Sequence, residues 1–81
     1  MMNEYSAKNI EFARDVDDFI SEKCVKRGQI RASNLYMHYK NWALDNKKRV
    51  ASQAIFGAIV GSRFLRIKKG KIYYDEISLP D

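Results

Sequence analysis

The residues of this chain best suited to chemistry are its cations, and their distribution is uneven. Residues 26–72 carry twelve Lys or Arg side chains against one carboxylate, Asp45, which gives a net charge of +11. Residues 1–25 and residues 73–81 each carry a net charge of −3. A surface segregated in this way favours a polyanionic partner, and nucleic acid is the simplest one. An acidic protein surface is the alternative partner.

Groups that could carry catalysis are sparse. Cys24 and His38 are the only cysteine and histidine. Neither has neighbours at metal-ligand spacing, and Cys24 continues an apolar helical stripe without a base beside it. The chain contains no GxxxxGK[ST] phosphate-binding loop. We therefore expect no enzymatic activity, no metal and no cofactor.

The candidate binding residues cluster around the stretch from Ser52 to Tyr74. Ser52 is a natural N-cap, and the positive end of the helix that it starts could accept a phosphate. Gln53 follows in the first turn, where its amide could read an adenine edge. A basic connection precedes this helix and a basic hairpin follows it. The predicted DNA-binding residues are Arg31, Lys47, Lys48, Arg49, Ser52, Gln53, Ala54, Arg63, Arg66, Lys68, Lys69, Lys71 and Tyr73.

The elements that position these residues follow from hydrophobic periodicity. Apolar spacing predicts a first helix over 7–24, a short strand at 29–31 and a second helix over 34–45. The apolar stripes of the helices, which include Phe19, Tyr36, Tyr39 and Phe56, are expected to form the core. A base-stacking platform is the alternative for the aromatic face of the second helix. Gly28 is the expected C-cap of the first helix, and Ser33 the expected N-cap of the second. A third helix starts after Ser52. This order predicts an α+β winged helix-turn-helix fold, with three helices and a small antiparallel sheet whose β-hairpin is the wing.

The hairpin register follows from a two-residue turn at Lys69-Gly70. That turn places Lys68 opposite Lys71, Ile67 opposite Ile72, and Leu65 opposite Tyr74. The last two pairs are then expected to cover the core. Arg66 and Tyr73 form a pair on the other face. Ile77 and Leu79 are expected to tie the tail back to the domain.

Chain length bounds the organisation of the protein. The 81 residues allow one domain with a modest core, and we expect residues 1–81 to form it, with the core within about 8–79. No apolar run approaches the roughly 18 residues that a membrane span needs. No signal peptide opens the sequence, so we expect a cytoplasmic protein with no membrane partner.

Three stretches, LYMHYKNWALDN, SQAIFG and RFLRIKKGKIYYDEISL, resemble one known family. It is the C-terminal winged-helix domain of the phage- and poxvirus-type primase-helicases of superfamily 3, and the likeness extends from about Asp15 to Leu79. One departure concerns the third helix, which in the family often carries basic residues where this chain has Ala58 and Gly61. The matching residues are Phe19, Ile20, Glu22, Cys24, Leu35, Tyr36, Tyr39, Trp42, Ser52, Phe56, Gly57, Phe64, Gly70, Tyr74, Ile77 and Leu79.

The resemblance implies a sequence-specific double-stranded DNA-binding domain. In that family it is the origin-binding module of a replication initiator of a phage or mobile genetic element. The resemblance also implies that this chain is cut from a longer one, with the helicase ATPase upstream in the same chain or in a partner chain. The alternatives are a free-standing winged-helix transcriptional regulator and a winged-helix module that binds an acidic protein.

Overall fold

A computed structural model describes residues 4–80, with side chains described from residue 10 onward. This part of the chain contains three helices and three short strands. The elements are α1 (Glu4–Lys23), β1 (Gln29–Arg31), α2 (Ala32–Asp45), α3 (Gln53–Gly61), β2 (Arg66–Lys69) and β3 (Lys71–Asp75). The strands form one antiparallel sheet in the order β1-β3-β2. The α+β class with three helices and a hairpin-bearing sheet is confirmed, and the arrangement is consistent with a winged-helix-like fold.

One hydrophobic core joins the helices to the sheet. Apolar residues at helical spacing supply it, because such residues share one side of each helix. The aromatic rings of Phe19, Tyr39 and Phe56 meet at its centre, where Tyr39 and Phe56 stack with ring centroids 4.7 Å apart. The buried members are Val16, Phe19, Ile20, Leu35, Tyr39, Trp42, Ala43, Ala51, Phe56, Ile59, Val60, Tyr74 and Ile77.

The tail returns to the domain as expected. Val25 and Ser78 form an antiparallel bridge, with N–H to O distances of 2.8 and 2.9 Å in the two directions. This bridge holds Ile77 in the core, where its side chain is fully buried. No helix in the described residues is long and apolar enough to cross a membrane.

Both predicted helix caps before the third helix are wrong. α1 ends at Lys23, and Gly28 lies beyond it at a φ of 79°, in the turn that leads into β1. There its carbonyl accepts the Glu76 N–H at 2.7 Å. α2 begins at Ala32, so Ser33 lies inside its first turn and Arg31 holds the N-cap position with no side-chain capping bond. The reason is that β1 continues directly into α2, which leaves no loop for a capping serine.

The hairpin register differs by one residue from the prediction. Gly70, at a φ of 70°, lies alone between Lys69 and Lys71, and these two lysines pair. A shift of one residue moves a strand's side chains to the opposite face. Arg66 therefore pairs with Tyr74, whose side chain is buried. Leu65, which was expected in the core, is 67% exposed.

Candidate nucleic-acid interface

The first turn of α3 is fixed by a side-chain cap, as predicted. The Ser52 Oγ accepts the Ile55 N–H at 3.2 Å, so the helix begins at Gln53. Phe56 and the two other buried residues of α3 anchor one side of the helix in the core. Gln53 and Ala54 are exposed in the first turn. The cap thus presents a short polar start to solvent on a helix that is otherwise apolar.

A groove of about 350 Å³ separates the exposed side of α3 from one face of the sheet. At its base the Tyr74 hydroxyl donates a hydrogen bond of 3.4 Å to the Gly57 carbonyl. Among the side chains of residues 10–80, none that lines the groove is acidic, and Arg66 supplies the positive charge. The lining residues are Ala32, Gln53, Ala54, Gly57, Ala58, Arg66, Ile72 and Tyr74.

Two tyrosines of α2 hold the residue that precedes the cap. The Tyr36 hydroxyl donates to the Ala51 carbonyl at 2.9 Å, while the Ala51 N–H donates to the Tyr39 hydroxyl at 3.0 Å. Both backbone groups of Ala51 are therefore satisfied by side chains. We call these two hydrogen bonds the clamp on Ala51. The sequence pattern assigns the tyrosines to the core and does not predict the clamp. The available signal was tyrosine, rather than phenylalanine, at positions of a buried stripe, because a buried hydroxyl needs a partner.

Burial raises the pKa of two tyrosine hydroxyls, those of Tyr39 and Tyr74. It raises the pKa of Tyr39 above its usual value of 10.0, since the ionised form would lie in a poorly solvated site. The pKa of Tyr74 is raised for the same reason, although the nearby Arg66 charge acts in the opposite direction. The raised pKa favours the protonated hydroxyl, the form that donates to the Gly57 carbonyl.

The connection between α2 and α3 carries three of the predicted cations. Lys47 takes a left-handed conformation, with a φ of 57°, that turns the chain away from α2. The N–H groups of Lys47 and Lys48 then bond to the carbonyls of Leu44 and Ala43 at 3.1 and 2.8 Å, which closes the end of the helix. Arg49 follows, exposed, just before the segment that the tyrosines clamp.

Two predicted binding cations are engaged by acidic residues of α1. The Arg63 guanidinium donates to both carboxylate oxygens of Asp17, from Nε to Oδ1 at 2.6 Å and from Nη2 to Oδ2 at 3.0 Å. Lys48 lies 3.4 Å from an Asp15 carboxylate oxygen. Pairs with this much solvent contact are worth at most about 1 kcal/mol. They nevertheless lower the positive potential that these two cations offer to an anion.

The remaining predicted residues divide between the two faces of the sheet. Side chains alternate between faces along a strand, and directly opposed residues share one. Arg66 and Lys68 therefore lie on the groove face with Tyr74. The other four predicted residues lie on the opposite face, namely Arg31, Lys69, Lys71 and Tyr73. The structure thus brings Ser52, Gln53, Ala54, Arg66 and Lys68 to one side and separates Tyr73 from them.

A larger cavity, of about 500 Å³, lies between α1, α2 and the tail. Its wall includes two carboxylates, Glu22 and Asp45, and one ammonium group, Lys23, and the Trp42 Nε1–H donates to Glu22 at 3.1 Å. The charged side chains of this lining are mostly acidic, which does not favour a polyanion. Among the described residues, no group of three or more His, Cys, Asp or Glu side chains is arranged to hold a metal ion.

Comparison with known proteins adds no assignment to this geometry: no family model, curated protein or solved structure matches the chain.

Proposed function

We propose that this chain binds double-stranded DNA through the start of α3 and the groove face of the wing. The observation that carries the proposal is the groove itself. It joins the exposed first turn of α3 to Arg66, and its described lining contains no acidic residue. The most acidic element, α1, packs against α2 and α3 through Val16, Phe19 and Ile20. From residue 10 onward none of its carboxylates lines the groove, and two of them, on Asp15 and Asp17, pair with Lys48 and Arg63.

Gln53 is the residue that we assign to base recognition. A glutamine amide can bond the N6 and N7 atoms of adenine in the major groove, a contact worth about 1–3 kcal/mol of discrimination. Gln53 is exposed in the first turn of α3 and lines the groove. Ala54 and Ala58 beside it are small, so the helix backbone can approach the bases closely. Arg49, Arg66 and Lys68 are assigned to the phosphates on either side.

The biological role that we propose is origin binding for a replication initiator. This part rests on the resemblance to the winged-helix domain of superfamily 3 primase-helicases, which places an ATPase upstream. A free-standing transcriptional regulator would use the same DNA chemistry. Co-purification of the chain with a helicase, or an ATPase reading frame joined to its own, separates the two roles.

The first test is duplex binding measured by fluorescence anisotropy over a series of salt concentrations. A duplex selected from a randomised library is compared with a shuffled duplex of equal length. If Arg49, Arg66 and Lys68 each neutralise one phosphate, log K falls against log salt with a slope of roughly −3. Polyglutamate serves as the competitor. Displacement of the duplex by polyglutamate at equal charge concentration would instead favour a module for acidic proteins.

The second test separates base recognition from backbone contact. Gln53→Ala should weaken binding to the selected duplex by about fivefold or more and leave the shuffled duplex nearly unaffected. Gln29→Ala is the matched control, because Gln29 is an exposed glutamine on the other face of the sheet. An equal loss on both duplexes would show that Gln53 does not read bases.

A further inference from the structure

The face of the sheet that points away from α3 has a composition of its own. We call it the outer face, and it carries Arg31, Ile67, Lys69, Lys71 and Tyr73. Tyr73 lies on the middle strand, with Arg31 opposite on one side and Ile67 opposite on the other. The neighbouring residue Tyr74 is buried against α3, so the Tyr73 side chain must point in the opposite direction.

The outer face combines an aromatic centre with a positively charged rim. Tyr73 and Ile67 are each only partly buried, and they form a shallow apolar strip between the cations. Lys69 and Lys71 stand directly opposite each other at the hairpin tip. Like charges in that position destabilise a free hairpin, and a bound anion relieves the repulsion.

Carboxylates do little to neutralise this rim. Among residues 10–80, the ion pairs within 4.0 Å join Asp15 to Lys48 and Asp17 to Arg63, and none involves the outer face. Asp75 is the acidic residue on the outer face, and it accepts a hydrogen bond of 3.4 Å from Gln29. The Lys69 ammonium donates to the same glutamine, also at 3.4 Å.

We propose that the outer face binds single-stranded nucleic acid, with an unpaired base stacked on Tyr73 and the flanking phosphates held by Arg31, Lys69 and Lys71. Single strands are bound in this way elsewhere, because every base has a flat face that an aromatic ring can cover and a phosphate that a cation can hold. A duplex keeps its base faces stacked on one another, so it cannot use Tyr73.

Charge also argues against a second copy of the chain as the occupant. Two outer faces brought together would oppose Arg31, Lys69 and Lys71 to their own counterparts, at a cost in repulsion. The site lies on the opposite side of the sheet from Gln53 and Arg66. The inference therefore goes beyond duplex binding, and the two sites can be tested independently.

The experiment uses a labelled oligothymidine of about 15 nucleotides, which does not pair with itself, and an abasic strand of the same length. The wild-type chain should bind oligothymidine about tenfold or more tightly than the abasic strand, because only the former can stack. Tyr73→Leu should remove that difference, while Tyr73→Phe, which keeps the ring, should retain it. Melting curves of both variants establish that the fold is intact.

Controls separate this site from the duplex site. Gln53→Ala should leave oligothymidine binding unchanged, and Tyr73→Leu should leave duplex binding within about twofold. Three results would overturn the inference: equal affinity for oligothymidine and the abasic strand, no effect of Tyr73→Leu, or displacement of oligothymidine by the selected duplex in direct competition. A dimer in sedimentation experiments that Tyr73→Leu dissociates would instead assign the outer face to self-association.

Discussion

The clamp on Ala51 gives the most direct test of how α3 is positioned. Tyr39→Phe removes one hydroxyl and leaves the ring in place, so its stacking on Phe56 at 4.7 Å is preserved. The Ala51 N–H, which donated to that hydroxyl at 3.0 Å, then has no partner. Tyr39 is 0% exposed and Ala51 1% exposed, so water cannot easily replace the lost acceptor.

The magnitude follows from that burial. A buried donor left without a partner costs about 1–3 kcal/mol of unfolding free energy. For a domain of this size each kcal/mol lowers Tm by about 4–8 °C, so we expect a fall of roughly 4–24 °C. Duplex affinity should fall as well, because the clamped segment sets where Arg49 and the Ser52 cap lie.

Tyr36→Phe is the matched control. Its hydroxyl donates to the carbonyl of the same Ala51 at 2.9 Å, but Tyr36 is only partly buried. Water can occupy the place that the partly buried Tyr36 hydroxyl leaves and donate to the carbonyl instead, so the expected loss is smaller, at about 0.5–1.5 kcal/mol. Thermal unfolding followed by circular dichroism measures both variants. If Tyr36→Phe were as costly as Tyr39→Phe, the argument from the buried N–H would be refuted.

The pH dependence of stability adds a second readout of the same substitution. The pKa of Tyr39 is raised above 10.0 by burial, so the folded state binds the phenolic proton more tightly than the unfolded state does. The stability that comes from this difference is complete below the unfolded pKa and is lost as the pH rises through the folded pKa. The stability gap between wild type and Tyr39→Phe should therefore narrow above about pH 10, and a gap that widens would contradict the assignment.

Three further predictions concern the wing, the turns and the thiol. Lys68→Gln should make the slope of log K against log salt shallower by about 0.9 and lower duplex affinity about fivefold near 0.15 M salt. Lys40→Gln on α2 is the control and should change neither quantity. Equal slopes for the two variants would show that the wing does not contact DNA. Gly28→Ala should lower Tm more than Gly70→Ala. Both glycines have a positive φ, so both substitutions strain the backbone. At Gly28 the new Cβ would also lie 3.2 Å from the Ser78 Oγ, whereas at Gly70 no atom lies within 4 Å of it. Burial raises the pKa of Cys24 to about 11, so this thiol should react with iodoacetamide at pH 8 about tenfold or more slowly than an unshifted cysteine. Fast labelling of the native chain would show that the thiol is open to solvent.

The sequence by itself determined the kinds of elements and most of the core. Helical spacing identified Phe19, Tyr39 and Phe56 as core residues, because the period of apolar residues decides which side of a helix is buried. The Ser52 cap was also readable, since it depends on a bond to the N–H of Ile55 three residues later. Both are local properties.

Tertiary structure alone decided which side chains the wing presents on each face. The turn at Gly70 contains one residue fewer than the sequence suggested, and that shift moved Leu65 to the surface and separated Tyr73 from Arg66. A strand alternates with a period of two, so the local pattern around Gly70 fits either register until Tyr74 packs against α3.

Tertiary structure also decided which cations are available to bind an anion. Arg63 and Asp17 are 46 residues apart in sequence, and no local pattern pairs them. They meet because α1 packs against α3. The same packing partly neutralises the positive charge of Arg63, which the sequence alone does not show to be paired. The clamp on Ala51 has the same origin, because two tyrosines of one helix reach a residue of the next connection only after the core has formed.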